Sequence, residues 1–408
     1  MFERCACRWS FAGGGWFALL IAVASAAAQP VMLTDEFVVR ALADDPDDRF
    51  EERDDQGLRV LAGLVKLAPD GRSLAYVGGV DDGTPKAPGQ LVIVRFDAAG
   101  NGAKAVEFRP NIGPADLSDL TLLLLCEPYS PDGKLFVAPD FGAPAVSGNG
   151  IQRRPLLVCQ IATGKIARTN IAVDLRYARI DYTSKTLLDR DGQSYSLVTG
   201  RPGKKFGYMG HVDAANPAAP LVAFDTGVER SPGPYRVRVW NLRDDKLHAP
   251  LPHNERFKYS AYVLPVWTSD GTYIYFTDVL GENFTYAPGE DRESVTRVWN
   301  AKTAQLVGTP LPWSNWRKPG PRPGTMIVSV PRNDDKNHVF LHDAATGNTA
   351  DVPVRILDAG GSKVAYVKRI DGKPHVCVAT MQWGAAPREG IGKPASRIPA
   401  TNPTRPIR

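Results

Sequence analysis

Short apolar stretches separated by polar turns recur along most of the chain. Aspartate-glycine turns stand directly before apolar stretches at Asp70-Gly71, Asp132-Gly133 and Asp270-Gly271. Glycine after aspartate allows the positive φ that a tight hairpin requires, so these six residues are assigned a structural role. Residues 235–240 alternate polar and apolar side chains, which is typical of a half-buried strand. The pattern therefore predicts many short β-strands.

These stretches group into a repeating unit of four strands. Each unit has an apolar strand, a tight polar turn, a second strand, a variable loop, a third strand, and a short turn into the fourth. This is the blade of a β-propeller, so we predict an all-β propeller of seven four-stranded blades, with six or eight as alternatives. The blades begin near Leu61, Leu122, Tyr177, Tyr208, Tyr262, Trp313 and Val354, and the third and sixth are degenerate.

The last blade lacks a convincing fourth strand. Because a propeller must close its ring to avoid bare edges, the natural donor is the acidic segment of residues 29–60. Residues 34–42 look more helical than extended, so we expect the donated strand near Leu58. The propeller then covers residues 61–387, and the basic, proline-containing tail of residues 388–408 is expected to be disordered.

The first residues have the pattern of a signal peptide. Arg4 and Arg8 precede an apolar run at residues 16–24, and three alanines lead to Gln29. We predict a signal peptide over residues 1–28, cleaved after Ala28, and a secreted or periplasmic protein with no membrane anchor after cleavage. The alternative, a single membrane anchor, is disfavoured because the apolar run is shorter than the ~20 residues that a spanning helix requires.

Composition and charge limit the classes of partner. Hydrophobic residues make up 43% and charged residues 23% of the chain, which is ordinary for a folded protein. The net charge of +5 is not gathered into a basic stripe, so nucleic acid is not an expected partner. We expect a monomeric propeller that binds a protein or a component of the cell envelope.

Two cysteines fall in predicted strands of one blade. Cys126 and Cys159 are candidates for a disulfide in an oxidising compartment, if their geometry permits. The alternative is two buried thiols.

Two segments carry a family resemblance. Residues 296–311, with Trp299 before an asparagine, resemble the end of a WD40 repeat, and residues 237–242, with Trp240, are a second match. The Ser-Pro-Asp-Gly turn at residues 130–133 resembles the WD40-like, TolB-type version of the blade. The resemblance implies structural roles for both tryptophans. It also implies a hydrogen-bonded set in blade five, made of Trp299, Thr277 and His253, with Glu293 at the place of the usual aspartate.

No motif names a reaction. A Gly-x-Ser-x-Gly elbow, a redox Cys-x-x-Cys and a phosphate-binding glycine loop are absent from the sequence. His338 and His342 share one face of a strand, but no third zinc ligand can be identified, so no metal or cofactor is predicted. In the predicted inner strands the polar cluster is Asp181, His211 and Asp213.

Loop length indicates a binding face. The loops between second and third strands are long in blades one, two, four and five, and all emerge on the same face of a propeller as the crossings between blades. The long loops are residues 78–89, 139–154, 227–234 and 279–293. The predicted binding residues are Trp313, Trp316, Arg317 and Lys318 in the crossing, and Phe284 and Tyr286 in the blade-five loop. The alternative for the two tryptophans is packing between blades.

These patterns favour a non-catalytic extracytoplasmic binding or scaffold protein, because propellers host many unrelated functions. The alternative is a propeller-type hydrolase or oxidoreductase with its site in the central funnel. A repeat domain that has lost a companion hydrolase is a third reading.

Overall fold

The computed structural model describes residues 31–41, 65–78, 90–96, 102–106, 127–144, 146–148, 151–175, 178–207, 211–225, 237–250, 265–280, 293–314, 316–331 and 337–383. These residues form seven antiparallel sheets arranged as a seven-bladed β-propeller, as the repeat pattern predicted. None of the described residues belongs to a helix long and apolar enough to cross a membrane.

The first three blades follow one N-terminal strand, β1 (Val31–Ala41). Blade one contains β2 (Val65–Leu67), β3 (Ser73–Gly78), β4 (Gln90–Phe96) and β5 (Gly102–Val106). Blade two contains β6 (Leu135–Pro139), β7 (Val146–Gly148), β8 (Ile151–Gln160) and β9 (Lys165–Val173). Blade three contains β10 (Arg179–Ile180), β11 (Thr186–Leu188), β12 (Gln193–Ser196) and β13 (Pro202–Lys205).

The other four blades have longer strands on average. Blade four contains β14 (His211–Ala215), β15 (Leu221–Asp225), β16 (Val237–Asn241) and β17 (Lys246–Pro250). Blade five contains β18 (Val266–Trp267), β19 (Tyr273–Leu280), β20 (Glu293–Asn300) and β21 (Gln305–Pro312). Blade six contains β22 (Trp316–Pro319), β23 (Thr325–Pro331), β24 (Asn337–Asp343) and β25 (Thr349–Asp351). Blade seven contains β26 (Ile356–Gly360), β27 (Lys363–Ile370) and β28 (Lys373–Trp383), with β1 as its outer strand.

The N-terminal segment closes the ring, as predicted. β1 pairs antiparallel with β28, from Val31 opposite Trp383 to Ala41 opposite His375. The expectation of a helix at residues 34–42 is wrong for residues 34–41, and Leu58 lies outside the described residues. The free edge of β28 explains the difference, because it offers this segment backbone hydrogen bonds that outweigh a local helical preference.

The tight turns hold neighbouring blades together as well as their own strands. Gly71, Gly133 and Gly271 have φ values of 68°, 68° and 67°, a region that residues with a Cβ rarely adopt. A Cβ on Gly271 would lie 2.1 Å from Oδ1 of Asn216 in the preceding blade, whose Nδ2 donates to the Gly271 carbonyl. Glycine is therefore required there by close packing as well as by φ.

The core lies between blades rather than in one central mass. Trp299 is fully buried in a cluster with Trp267 and Phe276, and its ring meets His248 of blade four edge-on. Trp240 is half-buried, and its Nε1 donates to Asp245 in the same blade.

The hydrogen-bonded set that the WD40 resemblance implies is not completed by Thr277. Thr277 Oγ1 accepts a hydrogen bond from Nη2 of Arg317 in the next blade, and Trp299 Nε1 has no partner among the described residues. His253 lies outside the described residues. The tryptophan of blade five is thus held by packing within its own blade and against blade four.

Candidate functional site

Charged side chains from four blades meet at the axis of the propeller. Lys66 lies on β2, Lys318 on β22 and Asp358 on β26, each the inner strand at one end of its sheet. Glu127 precedes the inner segment of blade two. Blades two and six are not neighbours, so a contact between Glu127 and Lys318 requires their side chains to meet across the central channel. We call these four residues the axial network.

Every member of the axial network is an ion-pair partner of another. Lys66 Nζ lies 2.5 Å from Glu127 Oε1, and Lys318 Nζ lies 3.2 Å from the same oxygen. Lys318 Nζ also lies 2.8 Å from Asp358 Oδ1. The other oxygen of Asp358 accepts the backbone N–H of Leu67 at 2.6 Å, which ties the last blade to the first.

Burial and mutual attraction shift the pKa values of Lys66, Lys318 and Glu127 in different directions. Burial lowers the pKa of the Lys66 ammonium, and the charges of Asp358 and Glu127 oppose that change without reversing it. Burial lowers the pKa of Lys318 too, but Asp358 and Glu127 outweigh it and raise the pKa well above its ordinary value. Burial raises the pKa of Glu127, but Lys318 and Lys66 outweigh it and hold the pKa far below its usual range.

Glu127 is the unusual member. Its φ of 57° lies in the left-handed region, which costs a residue with a Cβ roughly 1 kcal/mol. Its side chain is 49% exposed, whereas that of Asp358 is 2% exposed. From Glu127 the inner segment of blade two runs towards the turn at Asp132-Gly133, so Glu127 stands at the end of the channel away from the tight turns.

That end of the channel lies on the face from which the second-to-third strand loops emerge, and we call it the long-loop face. In blade two the described part of that loop is a hairpin of β7 and the start of β8, with Val146 opposite Arg153. Arg154 fixes its base by donating to the carbonyls of Phe141 and Ala143 at 3.1 and 2.6 Å. The segment predicted as a long loop therefore carries an anchored hairpin.

The charges continue into blades three and four. Arg179 on β10 is buried, donates from Nε to the backbone carbonyl of Asp213 at 3.0 Å, and helps to lower the pKa of Glu127. Asp213 lies half-buried on β14. In blade five the inner strand carries the apolar Val266 instead.

The crossing between blades five and six is not the exposed loop that the sequence suggested. Trp316, Arg317 and Lys318 lie in the inner strand β22. Trp316 is half-buried against a core cluster, and Arg317 is 3% exposed. Burial lowers the pKa of Arg317 to about 9, which still leaves it charged at neutral pH. Sequence alone suggested a surface because arginine and lysine are mostly exposed, whereas here Arg317 Nη2 donates to Thr277 of blade five and Lys318 pairs with Asp358 of blade seven.

The other predicted binding residues are placed only in part. Trp313 is half-buried at the end of blade five, and Phe284 and Tyr286 lie outside the described residues. A binding role for these residues, and for Trp316, Arg317 and Lys318, stays a prediction.

The polar cluster expected on the inner strands is described only in part. Asp181 Oδ1 accepts from the hydroxyl of Thr183 at 2.7 Å and from the backbone of Thr186 at 3.2 Å, so this carboxylate shapes the first turn of blade three. The His211 side chain lies outside what the structure describes. The sequence interpretation missed Lys66, Glu127 and Asp358, although a charged residue inside a short apolar strand before a glycine turn was an available signal.

The histidine pair on β24 serves two separate contacts. His342 is buried and its Nδ1 lies 2.7 Å from the Tyr275 hydroxyl of blade five, whereas His338 Nε2 lies 2.8 Å from Asp351. Among the described residues no group of three histidine, cysteine, aspartate or glutamate side chains could hold a metal ion.

The predicted cysteine pair is only half described. Cys159 is buried, and burial raises the pKa of its thiol to about 11. Cys126 lies outside the described residues, so the disulfide stays a prediction.

Comparison with known proteins finds structures with a similar fold but does not identify a family. No protein-family model matches the chain, and no curated protein matches it. Among solved structures, an oligogalacturonate lyase in complex with manganese is 13% identical, with a TM-score of 0.44 over 86% of this chain and 97% of that one. The β-propeller domain of the Trilobed protease from Pyrococcus furiosus is 12% identical, with a TM-score of 0.43 over 78% and 95%.

TolB from Acinetobacter baumannii is a third similar structure. It is 12% identical, with a TM-score of 0.31 over 79% of this chain and 54% of that one. At these identities the likenesses concern the propeller fold alone. The neighbours include proteins named as a lyase and as proteases besides TolB, so their names do not decide between catalysis and binding.

Proposed function

We propose that this protein is a non-catalytic binding or scaffold protein that acts outside the cytoplasm and recognises a protein or cell-envelope partner through its long-loop face. The observation that carries the proposal is the axial network. The charged groups of Lys66, Glu127, Lys318 and Asp358 bind one another at the place where a propeller enzyme would bring catalytic groups to a substrate.

The titration of Glu127 and Lys318 supports the proposal. A general acid or base works best when its pKa lies near the working pH. Glu127 is held far below that range and Lys318 far above it, so neither exchanges its proton readily near neutrality. Removing one partner of a buried pair costs about 3–5 kcal/mol, so these charges act first as structural partners.

The blade-two hairpin supports the choice of face. Its base is fixed by the two Arg154 hydrogen bonds, and Arg153 beside it is exposed. Loops held by a rigid scaffold are where propellers and similar folds place recognition. An exposed arginine on such a support is a residue type enriched among binding anchors.

The experiment compares two faces of the propeller in living cells. A photo-crosslinking amino acid replaces Arg153 in one variant and Lys165 in a matched control, since Lys165 is also an exposed cation but follows the turn at the other end of β8. We expect a discrete crosslinked partner from position 153 and none from position 165. Equal crosslinking from both positions, or from neither, would contradict the proposal.

Two further measurements test the remaining parts. N-terminal sequencing of the protein from the extracytoplasmic fraction should begin at Gln29, and an unprocessed protein in the cytoplasm would refute export. Elemental analysis of the purified protein separates the alternative class, because a stoichiometric metal would favour a hydrolase or oxidoreductase with its site in the central funnel.

A further inference from the structure

We propose that Lys66 and Lys318 form a binding site for a carboxylate group at the long-loop end of the channel, and that Glu127 occupies it as a built-in carboxylate which an incoming ligand displaces. The ligand class is a small molecule or chain end that carries a carboxylate. The proposal goes beyond the proposed function, because it concerns a small anion and requires no protein partner.

The geometry is that of two cations converging on one oxygen. Both ammonium groups contact Oε1 of Glu127, at 2.5 Å from Lys66 and 3.2 Å from Lys318. The Lys66 side chain is 5% exposed and that of Lys318 is 16% exposed, so water screens their charges poorly. Two like charges held this close repel each other, and an anionic oxygen between them relieves the repulsion.

The two lysine charges require two carboxylates for neutrality, and only one of these can be exchanged. Asp358 is a fixed wall of the site, because one of its oxygens contacts Lys318 and the other accepts the Leu67 N–H. It neutralises one of the two lysine charges. The second lysine charge is matched by Glu127, so whatever replaces Glu127 must itself be an anion.

Glu127 is held differently from Asp358. Half of its side chain is exposed, and its φ of 57° is one that glutamate rarely adopts. Displacing its half-exposed side chain breaks only its contacts to the two lysines, whereas displacing Asp358 would also break a buried contact to the backbone. The nearby guanidinium of Arg179 adds positive potential at the same place.

The test uses the full chain and sodium acetate as the probe, with sodium chloride at equal ionic strength as the control. Glu127→Gly removes the built-in carboxylate and tolerates the positive φ, Glu127→Gln keeps the shape without the charge, and the double variant K66M/E127G lacks one cation. Binding is followed by calorimetric titration and by the midpoint of thermal unfolding.

For Glu127→Gly we expect saturable acetate binding and a raised midpoint of thermal unfolding. Glu127→Gln should bind acetate more weakly, and the wild type more weakly still. The double variant should not bind acetate. Folded Glu127→Gly that shows no difference between acetate and chloride would overturn the proposal, as would equal binding by the double variant. If Glu127→Gly does not fold in chloride, acetate should restore folding, and failure to do so also counts against the site. None of these readouts depends on crosslinking at Arg153.

Discussion

The buried histidine of blade six should make the fold sensitive to mild acid. His342 is 6% exposed and faces the Tyr275 hydroxyl at 2.7 Å across the interface between blades five and six. Burial lowers the pKa of His342 to about 4, against the opposing charge of Asp343. With either tautomer of the neutral ring, Nδ1 and the tyrosine hydroxyl form one hydrogen bond, whereas protonation leaves Nδ1 able only to donate.

The direction and size of the change in the free energy of unfolding follow from the linkage between folding and proton binding to His342. The folded pKa lies below the unfolded value of 6.5, so the unfolded chain takes up the proton first as the pH falls. The stabilisation that depends on neutral His342 is present above pH 6.5 and is lost as the pH falls from 6.5 to the folded pKa of about 4. At about 1.4 kcal/mol for each pKa unit, the loss amounts to roughly 3 kcal/mol.

The assay is the free energy of unfolding in urea, measured from about pH 7 to about pH 4. Carboxylates elsewhere also titrate in this range, so the wild type is compared with His342→Asn, which keeps an acceptor for Tyr275 but does not titrate. We expect the free energy of unfolding of His342→Asn to fall by roughly 3 kcal/mol less than that of the wild type over this pH range. The control Tyr275→Phe removes the hydrogen bond but keeps the burial, so its decline should resemble that of the wild type. Identical declines for wild type and His342→Asn would refute the reasoning.

Two further predictions concern the axial network and the turns. Asp358→Asn should destabilise the protein by about 3 kcal/mol in urea at neutral pH, because Lys318 loses a buried partner, and a change within experimental error would contradict this. Gly271→Ala should lower the unfolding midpoint more than Gly308→Ala, although both residues have positive φ. A Cβ on Gly271 meets Asn216 Oδ1 at 2.1 Å, whereas nothing lies within 4 Å at Gly308, so equal losses would speak against the packing argument.

Much of the architecture could be predicted from local pattern. The aspartate-glycine turns and the short strands after them repeat along the chain, and each hairpin depends mainly on residues close to it in sequence. Thr268 N and Tyr273 O, for example, are joined around the turn at Asp270-Gly271. A repeated local unit with no helix between strands points to a propeller blade, and the spacing of these units gave seven blades, with six or eight as alternatives.

The candidate site could be predicted only in part, for a physical reason. Lys318 was singled out as an exposed anchor, yet its partners Glu127 and Asp358 come from blades two and seven. From the local sequence a charged residue is expected to be exposed to solvent, because the opposite charge that compensates its burial lies far away along the chain. Burial of the charge becomes acceptable only when the ring brings the opposite charge to the axis.

The sequence by itself determined the turns, the strands and their repetition, because hairpin register depends on neighbouring residues. It also pointed to the N-terminal segment as the strand that closes the ring. Only the tertiary structure decided that residues 31–41 are extended, since their conformation depends on the free edge of β28. Only the closed ring joins Leu67 to Asp358, which are 291 residues apart, and sets Lys66 and Lys318 against the single carboxylate of Glu127.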